Sequence, residues 1–190
     1  MKTTAHRFAR RLALVVTLAA VAHAGVRTER PGSGPVLHPD SFRHYFTGFV
    51  RDEQEMLGSA PPLPWQWFVC NIPWLDTPDA EINRIYYFRW YAFQKHINRT
   101  PDGYVITEFL DRVSWAGTFN TIDAAAGHQI REVRWLRDPV YVDDYTRFWF
   151  GPDGQPRLYS FWAADSVYQV YLATGNRELA VSLLPALEEN

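Results

Sequence analysis

Ala124-Ala125-Ala126-Gly127-His128-Gln129-Ile130-Arg131-Glu132-Val133-Arg134-Trp135-Leu136-Arg137-Asp138, closed by Pro139, decides how the rest of the chain is read. With Phe119 and Ile122 just upstream, the residues Ala126, Ile130 and Val133 recur at three- and four-residue steps, which predicts a helix with a core-facing stripe. A second row at helical spacing carries Thr121, Ala125, His128, Glu132 and Trp135. Ala124 to Gly127 are all small, so a neighbouring element can approach closely there. An apolar stripe beside a polar-aromatic row is covered on more than one side. The expectation is an inner helix of a helical barrel, its polar row lining a cavity and ending at Asp138, because Pro139 disfavours helical geometry in the residue before it.

Upstream, Asp40 is expected to cap a helix from Ser41 to about Leu57, with Phe42, Tyr45, Phe46, Phe49 and Val50 on one side and Gly58 as its stop. Trp65 to Leu75 reads as an irregular aromatic stretch, either buried or holding a ligand. Thr77, Pro78, Asp79 and Glu81 make a helix start with Thr77 as the cap. That helix is expected to run to about Ile97 with Ile82, Ile85, Tyr86, Phe93 and Ile97 on its stripe. Arg89 falls on the same stripe and needs an acceptor, either a structural carboxylate or a ligand. Thr100-Pro101-Asp102-Gly103 is a turn, and Tyr104 to Leu110 is extended. Downstream, Val140 to Phe150 is a helix stopped by Gly151-Pro152. Ser160 is expected to cap another with Phe161, Ala164, Tyr168, Val170, Tyr171 and Leu172 on a wide stripe. Gly175 closes that helix and Asn176 opens one more, carrying Leu179, Leu183 and Leu187.

The chain has 190 residues, 47% of them hydrophobic and 16% aromatic, which suits one packed domain. The first 24 residues read as an export signal: Lys2, Arg7, Arg10 and Arg11, then the apolar run Leu12 to Val21, then the small-x-small site Ala22-His23-Ala24. Cleavage near Ala24 removes four positive charges and takes the net charge from −2 to −6. An acidic exported chain has no electrostatic footprint for nucleic acid or an anionic membrane. Gly25 to Pro39 is a linker rich in Gly and Pro. Cys70 is the single cysteine; its neighbours Phe68, Val69 and Ile72 predict a buried, inert thiol.

Two constellations are able to carry chemistry. His128 and Glu132, one turn apart, form an internal pair or clamp a hydroxyl; without a third ligand or an HExxH pattern, no metal is expected. Arg131, Arg134 and Arg137 read as a solvated basic edge, with Asp138 free to pair with one of them. Arg157-Leu158-Tyr159-Ser160-Phe161-Trp162-Ala163-Ala164-Asp165 is the other: Trp162 offers a ring face to a pyranose and Asp165 a carboxylate to two hydroxyls, or the two are core aromatic and dipole-favoured acid.

Tyr86-Tyr87-Phe88-Arg89-Trp90, Thr100 to Val105 with Thr107-Glu108-Phe109-Leu110, Trp115-Ala116-Gly117, Gly127-His128 through Trp135-Leu136-Arg137-Asp138 and Tyr159 through Asp165 together resemble one family. It is the bacterial mannosylglycerate-hydrolase-like group of six-hairpin (α/α)6-barrel glycoside hydrolases, related to trehalase and processing α-glucosidase. The resemblance implies a mainly all-α fold: a partial toroid of helical hairpins over residues 40–190 with a short β-ribbon near 104–110. It also implies hydrolysis of glycosidic bonds by two carboxylates, commonly inverting and without a cofactor, the carboxyl groups about 6.5–9.5 Å apart. In such barrels both carboxylates come from the later half of the domain, and no counterpart precedes Asn190. A closed barrel needs about twelve helices and about six are legible, so the sequence reads as a truncated, catalytically silent part. Arg89, Glu108, His128, Glu132, Trp162 and Asp165 are then the expected substrate-binding residues. The competing reading is a secreted carbohydrate-binding or helical interaction protein of this length; oligomeric state is left open by both.

Overall fold

A computed structural model describes residues 37–189; residues 1–24, read above as an export signal, and residues 25–36 of the expected linker lie outside the described residues. Eight α-helices and one antiparallel hairpin make up this part. The all-α class with a small ribbon is what the sequence predicts.

A 3-10 turn, Pro39–Phe42, leads into α1, Arg43–Leu57, which ends at Gly58 in left-handed geometry (φ 73°) as expected. Asp40 does not cap it. The Asp40 carboxylate instead accepts from Trp65 Nε1 at 3.2 Å, and the helix begins two residues later than Ser41. The stretch read as irregular is in part a second helix, α2, Trp65–Asn71. Pro64 sits where a missing N–H costs nothing, and Ile72-Pro73 ends the element. Tertiary burial of Phe68 and Asn71 overrides a modest helical propensity. Cys70 faces solvent from this helix, so the expectation of a buried thiol is corrected: the core-facing positions are Phe68, Asn71 and Ile72.

α3 spans Ala80–Lys95 and is capped by Asp79, not Thr77: Asp79 Oδ1 accepts from the backbone N–H groups of Glu81 (2.8 Å) and Ile82 (3.3 Å). The expected stripe is rotated as well. Asn83, Tyr87, Trp90 and Tyr91 are buried, while Ile82 and Ile85 are about half exposed, at 51% and 50%. The polar atoms on the buried face are paired: Tyr87 Oη with Leu75, Asn83 with Thr77. Burying them is therefore cheap, and the tyrosine and tryptophan rings hide more apolar area than two isoleucines. Phe46 sits fully buried at the centre of this half, with ring centroids 4.4 Å from Phe68, 5.6 Å from Trp65 and Tyr87, and 6.4 Å from Trp74.

β1, Ile97–Thr100, pairs with β2, Gly103–Ile106, around the predicted turn. The ribbon stops short of Leu110. It lies on α5, where Gly103 approaches Asp144 so closely that an added Cβ would sit 2.7 Å from the carboxyl carbon.

α4 covers Asp123–Val133, ending five residues before the expected Asp138. Trp135 and Leu136 close tight turns back to Glu132 and Val133, and the Arg137 N–H is taken by the Asn71 carbonyl of α2 at 2.8 Å. That tertiary bond, with Leu136 turned inward, outweighs another helical turn. Ala126, Ile130 and Val133 are buried as predicted; Phe119 is exposed (38%) in left-handed backbone. Ahead of α5, Val140–Phe150, the Asp138 carboxylate accepts the Val140 N–H at 3.0 Å instead of pairing with an arginine. α6 runs Ala163–Thr174 and begins at Trp162 rather than Ser160. Its buried side is Ser166, Val167 and Val170; Tyr168, Tyr171 and Leu172 of the expected stripe face outward. Gly175 (φ 71°) closes α6, Asn176 caps α7, Arg177–Ser182, and α8 is Leu184–Glu188. α4 packs on both α5 and α6, and α6 packs on α7.

Candidate functional site

The α4–α6 junction gathers most of the residues that the sequence singled out. It begins at Gly127, where an added Cβ would lie 2.3 Å from the Phe161 carbonyl oxygen. No other residue type lets the chain cross α4 there. The crossing segment holds Trp162 at φ 55°, a left-handed conformation rare for a bulky side chain and costing of order 1–3 kcal/mol. That backbone sets the indole against the His128 ring, with centroids 5.1 Å apart in an edge contact, and under the Arg131 guanidinium at 5.7 Å.

Arg131 also pairs with the Asp165 carboxylate, one turn into α6. That hydrogen bond, and secondarily the one from Gln169, holds the Asp165 carboxyl below the ordinary carboxylate range. Arg134 donates to Gln169 and lies 4.8 Å over the Trp135 ring. Its burial, and then the like charge of Arg131, lowers its affinity for the proton. Arg131 and Arg134 thus link α4 to α6 instead of standing as a free solvated edge, while Arg137 is exposed as expected.

Glu132 continues the row. Its carboxylate takes the exposed Arg89 guanidinium of α3 at 2.7 Å, so the expected His128–Glu132 pair is replaced by a link to α3. Arg89 is out of the core because the buried face of α3 is rotated away from it. The half-exposed Trp162, His128, Arg131, Asp165, Glu132 and Arg89 thus follow one another across α6, α4 and α3. Glu108 is not joined to them by a hydrogen bond. It stands exposed after β2, where its charge is felt at His96 and Tyr145. Gln169 and Arg134 are the members that residue-by-residue reading did not assign to the site; their i+4 and i+3 spacing from Asp165 and Arg131 was the available signal. Among the described residues no group of three or more His, Cys, Asp or Glu side chains is placed to hold a metal ion.

Residues 118–190, which contain this junction, match the family model of the mannosylglycerate hydrolase MGH1-like glycoside hydrolase domain. A solved structure named sialidase is 37% identical over 80% of this chain, with a TM-score of 0.72. The chain spans about 15% of that structure's length. The chain is thus similar to part of a six-hairpin glycoside hydrolase, as the blocks from Gly127 to Asp138 and Tyr159 to Asp165 imply. Among the described residues no helix is long and apolar enough to cross a membrane.

Proposed function

We propose that this chain is the early part of the substrate wall of an exported glycoside hydrolase acting on O-glycosidic bonds in oligo- or polysaccharides. The observation that carries the reading is Trp162: an indole held by left-handed backbone against His128, beside the Arg131–Asp165 pair, inside the segment matched by a glycoside hydrolase domain. A pyranose is amphipathic, so a ring face plus charged hydrogen-bonding groups at its edge suit it. Arg89 and Glu132 extend the polar edge toward α3.

Neither acid in the row suits proton donation. A general acid needs a raised pKa, yet Asp165 is held low by Arg131, and Glu132 is occupied by Arg89. On this reading Asp165 and Glu132 bind substrate, and the catalytic carboxylate pair comes from outside residues 37–189, as the family resemblance implies. Export rests on the basic, apolar and small-residue order of residues 1–24.

Titrating the full chain with neutral tetrasaccharides of glucose, mannose and xylose tests this. Binding is expected, with Trp162→Ala weakening it about tenfold, a loss of about 1.4 kcal/mol, and with no reducing sugar released. Turnover by this chain would overturn the assignment of the carboxylates elsewhere; binding of none of the sugars would overturn the saccharide reading.

A further inference from the structure

Between α4 and α6 runs an unbroken series of side-chain contacts in which one member, Gln169, carries no charge. Arg131 donates to Asp165 Oδ2, Gln169 Nε2 donates to Asp165 Oδ1 at 3.3 Å, and Gln169 Oε1 accepts from Arg134 Nη1. Both oxygens of the Asp165 carboxylate are thus taken, one from each side. The Arg134 end is the more enclosed, with Nε closed to solvent and the guanidinium over the Trp135 ring. The other end is open: the Arg131 and Asp165 side chains are 45% and 39% exposed. An ion pair that open is screened by water and by itself holds its geometry poorly. Yet Arg131 stands 5.7 Å from the centroid of the Trp162 ring, and that placement joins ring face and charged edge into one surface. The bond from Gln169 gives the Asp165 carboxylate the second fixed point that Arg131 alone does not supply.

The residue type at 169 separates positioning from bracing. A brace for Arg134 alone is better made by glutamate, since a charged acceptor bonds about twice as strongly as a neutral one. Glutamate there also sets a second carboxylate beside Asp165, and like charges at that range oppose ionisation. An amide accepts a guanidinium proton on its oxygen while its nitrogen donates to a carboxylate. Gln169 therefore preserves the alternation of sign from Arg134 through Asp165 to Arg131. The spacing suits this, with Asp165 and Gln169 four apart on α6 and Arg131 and Arg134 three apart on α4. We propose that Gln169 is a positioning residue of the Trp162 wall: by holding Asp165 at Oδ1 it keeps the Arg131 guanidinium over the Trp162 ring. The inference rests on the carbohydrate reading of that wall and adds a residue that acts on it only through Asp165.

The test follows the full chain by NMR and by titration with the same neutral tetrasaccharides. The signals read are the Asp165 carboxyl carbon against pH, the Arg131 Nε–H in the ring current of Trp162, and the Trp162 indole N–H. They are assigned by their loss in Asp165→Asn, Arg131→Lys and Trp162→Phe. Gln169→Glu leaves Arg134 a partner, so its urea midpoint should stay near that of the parent. It should nevertheless raise the pH at which Asp165 titrates, move the Arg131 and Trp162 resonances, and weaken tetrasaccharide binding about tenfold. Gln169→Glu combined with Asp165→Asn exchanges amide and carboxylate, and should return the Arg131 and Trp162 resonances toward their parent positions. A residue that merely braced α6 to α4 would leave these signals in place in Gln169→Glu, and that result overturns the proposal. Moved signals with undiminished tetrasaccharide affinity overturn it too, as does an exchange variant that fails to bring the resonances back. If Gln169→Glu alone does not fold, the exchange variant decides: parent-like resonances support the proposal and displaced ones overturn it. If the parent chain binds no tetrasaccharide, the carbohydrate reading of the wall falls, and the same signals still decide whether Gln169 sets the Arg131–Trp162 arrangement.

Discussion

Gly127 concentrates the residue-scale physics of this chain. In the middle of an exposed helix, Gly→Ala stabilises by about 1 kcal/mol, because alanine loses less backbone entropy. Here the added Cβ meets the Phe161 carbonyl oxygen at 2.3 Å, a backbone atom that cannot rotate away. The clash wins: Gly127→Ala should destabilise by about 1–3 kcal/mol in urea unfolding, and should release the His128–Trp162 contact. Glu53 gives a residue-scale prediction of another kind. Hydrogen bonds from Lys95 and then Tyr91 hold its carboxyl below the usual value of 4.5, in a site where the Lys95 and Glu53 side chains are both 18% exposed. A depressed folded pKa contributes stability fully above the unfolded value and loses it as pH falls through the folded one. Glu53→Gln is therefore expected to cost about 1–3 kcal/mol at pH 7, with the gap to the parent closing below about pH 4. Chemical unfolding at a series of pH values from 7 down to 2.5 reads this, and a gap that does not narrow as pH falls would contradict it.

At the scale of elements, the starts and stops carried by single residues were legible and those carried by contacts were not. Gly58, Gly175 and Asn176 act as the sequence suggests, because left-handed caps and side-chain caps are local events. Thr77 and Asp79 are both good caps by type; which one serves depends on Asn83, whose amide engages Thr77 and leaves Asp79 to the helix. The α3 stripe was misplaced for a related reason: hydropathy ranks isoleucine above tyrosine, yet a tyrosine whose hydroxyl has a partner is the better core residue. Asn176 ties α7 to α5. It caps α7 at Leu179 N (3.0 Å), and its amide donates to Asp143 of α5 at 2.7 Å, where the other Asp143 oxygen is enclosed without a partner. Asn176→Ala removes the cap and strands a carboxylate, so a loss of about 2 kcal/mol is expected, larger than a cap alone. Asn176→Asp should keep the cap but repel Asp143, and so recover little. Thermal unfolding of the two variants distinguishes these contributions.

For the whole molecule, the notable surface is apolar. Tyr168, Tyr171 and Leu172 on α6, and Ile82, Ile85 and Phe88 on α3, are exposed in rows at helical spacing. Rows of this kind are what hairpins of a larger helical ring would cover, and a chain that leaves them open should self-associate. Sedimentation velocity is expected to show association rising with concentration, and Tyr168→Lys with Leu172→Lys should shift the chain toward monomer while altering unfolding free energy by less than about 0.5 kcal/mol each. The amino-acid sequence by itself determined the helical class, the α5 segment, the ends of α1 and α6 at Gly58 and Gly175, and the turn at Thr100–Gly103, since periodicity, caps and glycines act over a few residues. Only tertiary structure decided that Glu132 answers Arg89 rather than His128 and that Arg131 holds Asp165. Those pairings join residues 43 and 34 positions apart, and no local propensity reports on a distance that exists only after the helices have packed.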